Sequence, residues 1–153
     1  MSLSSSASGT SSPVASAAAS PAFVDHPAES DPTVRWTLRA ESIASFVAGV
    51  AIYVSAGGSL LFFIPLLLAP DLSMVGYLVN PRVGAVTYNA VHGYAPGIVL
   101  ALLGWWLPAP LLLMAGGVLI AHIGMDRTSG YGLKYPTAFG DTHLGPIGKR
   151  RRA

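Results

Sequence analysis

Two aspartates and two histidines are the side chains of this sequence with the clearest potential for chemistry. Asp71 ends one apolar segment, His92 opens the next, and His122 and Asp126 close the last. Imidazole and carboxylate groups bind Zn²⁺, Mn²⁺ and Fe²⁺, and such a cation could activate water against an ester, amide or phosphoester. The pattern therefore predicts a divalent metal such as zinc at Asp71, His92, His122 and Asp126.

The spacing of the last two residues strengthens this interpretation. His122 and Asp126 are four residues apart, which places both side chains on one face of a helix. Each candidate ligand also has a purely structural interpretation. Asp126 could form an ion pair with His122 or Arg127, Asp71 could cap the following helix, and His92 could be a polar link between helices.

A second distinctive segment runs from Ser129 to Pro136, where glycines alternate with aromatic residues around Lys134. One interpretation is a turn-rich cap over the helix ends, with its lysine near lipid phosphates. The other makes Lys134 an anion-binding group beside the His/Asp cluster. The candidate anion or partner contacts in this region are Lys134, Tyr131, Tyr135, Asp141 and His143.

The segments that must position these residues are almost free of charge. No Lys, Arg, Asp or Glu occurs from Val83 to Met125, or from Ser42 to Pro70. A helix crosses a hydrocarbon core with about 20 apolar residues, or about 30 Å. We therefore predict an all-α, polytopic membrane bundle of about four spans, with segments at Thr37 to Val54, Ser59 to Pro70, Val91 to Leu107 and Ala109 to Met125.

Two features of this segment pattern stay open at the level of sequence. The second segment is short, so it must borrow residues from the preceding turn or continue through Met74 to Val79. The stretch from Leu72 to Ala90 mixes polar with apolar residues, which is typical of an interfacial helix and turn. It could equally be part of a span.

The distribution of positive charge predicts the orientation in the membrane. With four spans, the cations fall before the first, between the second and third, and after the fourth. The two loops on the opposite side carry no charge. Because positively charged loops stay in the cytoplasm, we expect both termini and the His/Asp cluster on that side.

Composition limits the class of protein. The 153 residues are 52% hydrophobic and only 10% charged, against roughly 25% charged residues in a soluble domain. A basic run at Lys149 to Arg152 suits anionic lipid better than nucleic acid, which we do not expect as a partner. The absence of cysteine excludes thiolate ligands and disulfides. Expected partners are membrane lipid and a protein partner or a second copy of the chain.

We divide the chain into three parts. Residues 1–34 are rich in Ser, Ala and Pro and cannot bury enough surface to offset ordering, so they are predicted to be a disordered tail. They also lack the continuous apolar region of a cleavable signal peptide. Residues 35–148 form the membrane domain with its C-terminal cap, and residues 149–153 form a basic tail.

Three strings in the membrane domain resemble a known family. They are Ala69 to Tyr77, Thr87 to Tyr94, and Ala121 to Pro136 followed by Asp141 to Gly145. Together they resemble a bacterial family of small integral membrane proteins known as domain of unknown function 4260. The resemblance covers roughly Leu38 to Gly148. It implies a multi-span protein of a bacterial inner membrane, without an agreed activity, substrate or cofactor.

A weaker likeness is to membrane-bound metal-dependent hydrolases. Their pattern also has Pro-Asp at a helix end, a His in the next segment and His-x-x-x-Asp in a later one. Carried over, this likeness implies that Asp71, His92, His122 and Asp126 are metal ligands. Those enzymes usually have further His and Asp residues directly after the Pro-Asp, where this sequence has Leu72-Ser-Met74.

Overall fold

The structure, a computed structural model, describes residues 31–147 and is almost entirely helical over that range. A short antiparallel hairpin of β1 and β2 follows the last helix. The elements in chain order are α1 (Pro32–Ser55), α2 (Leu60–Leu68), a 3₁₀ helix (Ala69–Leu78), α3 (Pro81–His92), α4 (Tyr94–Trp106), α5 (Pro110–Ser129), β1 (Asp141–Thr142) and β2 (Gly145–Pro146).

Helix α1 begins earlier than the sequence suggested. The predicted tail extends to Val34, but α1 starts at Pro32, so the last three residues of that range are helical. Proline at the first helical position and the Asp31 side chain, which accepts a hydrogen bond from the Thr33 N–H at 2.7 Å, account for this start. Residues 1–30 of the predicted tail and the basic residues 149–153 lie outside the described residues.

Three helices are long and apolar enough to cross a membrane: Pro32–Ser55, Leu60–Leu78 and Pro110–Ser129. Their outer faces carry large apolar side chains, and Leu61 is 78% exposed. Such a surface suits lipid rather than water. The third predicted span, Val91 to Leu107, contains a break at Gly93, and the 13 residues of α4 rise only about 20 Å.

The structure also decides how the short second segment continues. Helix α2 passes directly into the 3₁₀ helix, so the apolar rod runs from Leu60 to Leu78. Helix α3 then returns alongside the 3₁₀ helix, and the Thr87 hydroxyl donates to the Ser73 carbonyl at 2.9 Å. Residues 72–90 therefore form two packed, oppositely running helices instead of one interfacial helix.

Helix α5 is the most buried element and lies between α1 and α4. A Cβ at Gly117 would be 2.8 Å from backbone atoms of Gly49 and Tyr53, so α1 and α5 touch backbone to backbone. Gly116, on another face of α5, allows the same close approach to Ala101 of α4. Close packing through small residues is the usual way in which helices associate in lipid. This packing fixes the helix that carries His122 and Asp126.

The chain after α5 forms the predicted cap. Gly130 ends the helix in the left-handed conformation, with φ of 89°. Asn89 then holds the cap by two hydrogen bonds to the backbone of Lys134, at 2.7 and 2.8 Å. Phe139 packs edge-on against Tyr77, with ring centroids 5.2 Å apart. The cap is therefore anchored on α3 and the 3₁₀ helix, beside the His/Asp cluster.

Candidate metal centre

The structure brings the four predicted ligands together. Asp71 comes from the 3₁₀ helix, His92 from the end of α3, and His122 and Asp126 from α5. One donor atom of each residue lies within 4.8 Å of the others. The two Nε2 atoms are 2.9 Å apart, and the distances from Nε2 atoms to carboxylate oxygens are 3.4 to 3.8 Å. The four donors thus surround one small volume.

Both imidazole rings are oriented by backbone carbonyl groups. His122 Nδ1 lies 2.6 Å from the Leu67 carbonyl oxygen, and His92 Nδ1 lies 2.9 Å from that of Tyr88. A carbonyl oxygen can only accept, so each Nδ1 carries the proton and donates it. The Nε2 lone pairs of two neutral rings therefore point at each other and at two carboxylates. A proton or a metal ion between them would stabilise this arrangement.

The carbonyl that orients His122 is free because of a proline. At the change from α2 to the 3₁₀ helix, the Leu67 carbonyl would pair with the N–H of residue 70. Pro70 has no N–H, so this carbonyl has no backbone donor at that position. His122 donates to it across the helix interface. The proline at the start of the 3₁₀ helix therefore helps to orient the His122 ring on α5.

Tyr88 supports the cluster from α3. Its ring stacks on His92 with centroids 3.6 Å apart, and its hydroxyl donates to Asp126 Oδ2 at 3.0 Å. Burial, followed by the charge of Asp126, raises the pKa of Tyr88. The hydroxyl therefore stays protonated and remains a donor. It fixes one carboxylate oxygen while leaving that group able to bind a cation.

Burial differs among the four side chains. His92 and His122 are 1% and 0% exposed, whereas the Asp71 side chain is 35% exposed. Two ionised carboxylates in such a place would carry a charge of about −2, which is costly without compensation. A divalent cation would neutralise it. Asp71 marks the side from which an ion or water could reach the centre.

Lys134 lies next to this site and not on the cap surface. It is only 3% exposed, and its Nζ lies 4.1 Å from the centroid of the Phe139 ring and 5.1 Å from that of Tyr88. Burial lowers the pKa of Lys134, while the charges of Asp126 and Asp71 oppose that change. Among the described residues, its ammonium group has no hydrogen-bond acceptor.

The other candidate contacts lie in the cap. The rings of Tyr131 and Tyr135 are 43% and 52% exposed. Asp141 accepts a hydrogen bond from the Thr137 hydroxyl at 2.7 Å, and His143 accepts one from the Leu133 N–H at 2.8 Å. Neither Asp141 nor His143 joins the four-residue cluster.

The structural alternatives for the cluster residues are also decided. Arg127 does not pair with Asp126, because its guanidinium donates to the carbonyls of Tyr131 and His92 at 2.8 and 3.2 Å. Asp71 does not cap a helix beginning at Leu72, since the 3₁₀ helix already starts at Ala69. Asp126 and His122 do approach within 3.6 Å, as their spacing predicted.

Sequence reasoning missed two supporting groups, Tyr88 and the Leu67 carbonyl. Tyr88 is four residues before His92, so the helical period alone placed it beside a predicted ligand. The carbonyl had a weaker signal in Pro70, three residues after Leu67. Only the packing of α2 against α5 shows that His122 reaches it.

Comparison with known proteins identifies the family of the chain. No curated protein and no solved structure gives a significant match. The family model described as "Domain of unknown function (DUF4260)" matches residues 35–147, the range that contains the helices and the cap. Because this match covers well over half of the sequence and all four clustered residues, the chain belongs to the DUF4260 family.

Proposed function

We propose that this protein is a membrane component that binds a divalent metal ion, zinc by preference, through Asp71, His92, His122 and Asp126. The observation that carries the proposal is the pair of Nε2 atoms 2.9 Å apart, each on a ring whose Nδ1 is held by a carbonyl oxygen. The alternative to a metal ion is a proton shared between the two Nε2 atoms. Two carboxylates beside the pair favour a cation of higher charge.

The distances fit a four-coordinate ion. Zinc binds nitrogen and oxygen at about 2.0–2.2 Å, which places donors at the corners of a regular tetrahedron about 3.3–3.6 Å apart. The five nitrogen–nitrogen and nitrogen–oxygen separations in the cluster run from 2.9 to 3.8 Å. Small movements of the side chains would therefore accommodate the ion.

The role that fits this centre best is structural or accessory. A metal bound to all four residues would join the 3₁₀ helix, α3 and α5 and add to the hydrogen bonds already present between them. The exposed rings of Tyr131 and Tyr135 on the adjacent cap would then contact a protein partner or a second copy. We place the protein in a bacterial inner membrane with both termini cytoplasmic. This placement is supported by Arg35 near the start of α1 and Arg127 near the end of α5, which line one groove, since positive charge favours the cytoplasmic side.

The metal content of gently purified wild-type protein tests this proposal. We expect a divalent metal in stoichiometric amount by elemental analysis, because four converging donors bind zinc with about 10–16 kcal/mol. We also expect addition of a chelator to lower the thermal unfolding temperature, since a ligand of the folded state stabilises it. Background metal content together with no uptake of added zinc would show that the cluster holds a proton instead.

Removal of one hydroxyl should weaken the metal centre without disturbing the fold. We expect Tyr88→Phe to reduce zinc affinity about 10-fold, because partners of metal ligands typically contribute 10- to 100-fold. Tyr77→Phe is the matched control, since the buried Tyr77 hydroxyl has no hydrogen-bond partner among the described residues. Competition with a zinc-binding dye measures both variants. Equal zinc affinity of the two variants would show that Tyr88 does not support the metal centre.

A metal-dependent hydrolase is the second candidate, and two observations favour it. Asp71 is half-exposed, so it could yield a coordination position to water, which a bound zinc would activate. Lys134 is only 3% exposed beside the cluster, and its ammonium group could bind the developing oxyanion of a lipid-borne or small amphiphilic ester. The test is ester hydrolysis by the wild type with and without zinc, and by Lys134→Met. Activity that is lost without zinc and lost in Lys134→Met, while the metal content of the variant is unchanged, would support this function.

A further inference from the structure

A separate groove lies between the first half of α1 and the end of α5. Its volume is about 600 Å³, within the range of about 300–1,000 Å³ typical of ligand sites. None of the four clustered residues lines it. The groove therefore needs an explanation of its own.

The groove is rich in guanidinium groups. Arg35 and Arg39 lie one helical turn apart on α1, and Arg127 faces them from α5, with Glu41 as the single carboxylate of the lining. Three arginines and one glutamate give 3 − 1 = +2 formal charges. Among the described residues, none of these four side chains takes part in an ion pair.

Two of the guanidinium groups are held in position. Arg127 donates to the carbonyls of Tyr131 and His92, which uses only two of its five N–H groups. Arg39 lies over the Trp36 ring, 5.4 Å from the centroid. An arginine oriented in this way loses little further freedom when it binds an oxyanion.

The rest of the lining is mixed, with the polar residues Ser42, Ser45, Tyr94 and His143 beside apolar Val34, Leu38 and Leu144. Val34 and Leu38 form one wall of the groove. The same helix continues with exposed Ile43 and Val47. A ligand with a charged head and an acyl chain would place its head among the arginines and its chain along α1.

We propose that this groove binds a phosphate group, supplied by the headgroup of an anionic phospholipid. Guanidinium groups bind phosphate through paired, charge-assisted hydrogen bonds, and three arginines line this groove against a single carboxylate. A soluble phosphomonoester has the same head chemistry and is the alternative source of the ligand. The metal centre and this groove are independent proposals, because they share no residue.

The test uses the full chain in lipid nanodiscs of phosphatidylcholine, with and without added phosphatidic acid. We expect phosphatidic acid to raise the thermal unfolding temperature of the wild type and to be retained in native mass spectrometry. Arg39→Gln should reduce its affinity about fivefold, from about 1 kcal/mol per arginine near a lipid surface. Arg35→Gln provides a second variant of the same kind, should Arg39→Gln fail to fold.

Arg82→Gln is the matched control. Arg82 is exposed at the start of α3, on the same side of the spans, and does not line the groove. It should change phosphatidic acid affinity less than twofold. An equal loss in Arg82→Gln and both groove variants, or no preference of the wild type for phosphatidic acid, would overturn the proposal.

Glycerol 3-phosphate distinguishes the two sources of phosphate. If phosphatidic acid binds and glycerol 3-phosphate does not, the ligand is a lipid headgroup that needs its acyl chains. If both bind and Arg39→Gln weakens both, the groove recognises phosphate from either source. Both outcomes support a phosphate site.

Discussion

Replacement of His122 by alanine should greatly weaken metal binding. This ring is fully buried and supplies one of the four donors. Four donors bind zinc with roughly 10–16 kcal/mol, so one donor contributes about a quarter of that free energy. We therefore expect zinc affinity to fall by several hundred-fold, at 1.4 kcal/mol for each factor of ten. Metal analysis and dye competition on the purified variant measure this loss. The variant should also lose the response of its thermal unfolding to chelator.

His143→Ala is the matched control for this experiment. His143 lies in the cap, outside the cluster, and should leave metal content unchanged. Because alanine at position 122 also leaves a cavity and an unpaired Leu67 carbonyl, the unfolding temperature should fall even without metal. Asp126→Asn keeps the side-chain volume and separates the two effects. Full zinc occupancy in both His122→Ala and Asp126→Asn would contradict the assigned ligands.

A methyl group at Gly117 should separate α1 from α5. In an exposed helix, replacing glycine by alanine stabilises the fold by about 1 kcal/mol. Here the added Cβ would lie 2.8 Å from the Gly49 carbonyl oxygen and the Tyr53 nitrogen, so the backbones must move apart. We expect the free energy of unfolding to fall by about 1–3 kcal/mol for Gly117→Ala, and by more for Gly117→Leu.

Gly140→Ala is the control with the same chemical change. A Cβ there would meet only the Ile147 carbonyl oxygen at 3.6 Å, an ordinary contact. Denaturation of the detergent-solubilised protein, followed by circular dichroism, compares the variants. Gly117→Ala should also weaken zinc binding, because α5 carries two ligands. A Gly117→Ala protein as stable as Gly140→Ala would show that α1 and α5 are not held by this contact.

The helical period explains why part of the site was predictable. His122 and Asp126 are joined by one turn of helix, so their proximity depends on local geometry alone. The small residues Gly49, Gly117 and Ala121 lie in the contact between α1 and α5. Patterns within one helix are reliable because the sequence fixes both the spacing and the face.

The position of Lys134 was open because it depends on other elements. The sequence offered a cap near lipid phosphates or an anion-binding group beside the cluster, and both interpretations fit a turn with two tyrosines. Asn89 on α3 holds the backbone of Lys134 through two hydrogen bonds and turns its side chain inward. A contact between residues 45 positions apart leaves no local pattern.

The sequence alone predicted a helical bundle with segments apolar enough to cross a membrane, the approximate positions of those segments, and the four residues able to bind a metal. These properties follow from the absence of charge over long runs and from the helical period, both of which are local. Only the tertiary structure decided that Asp71 and His92 meet the α5 pair, that Leu67 and Tyr88 orient the rings, and that three arginines line one groove. Those results depend on how helices distant in sequence pack, and packing is set by the sum of many contacts.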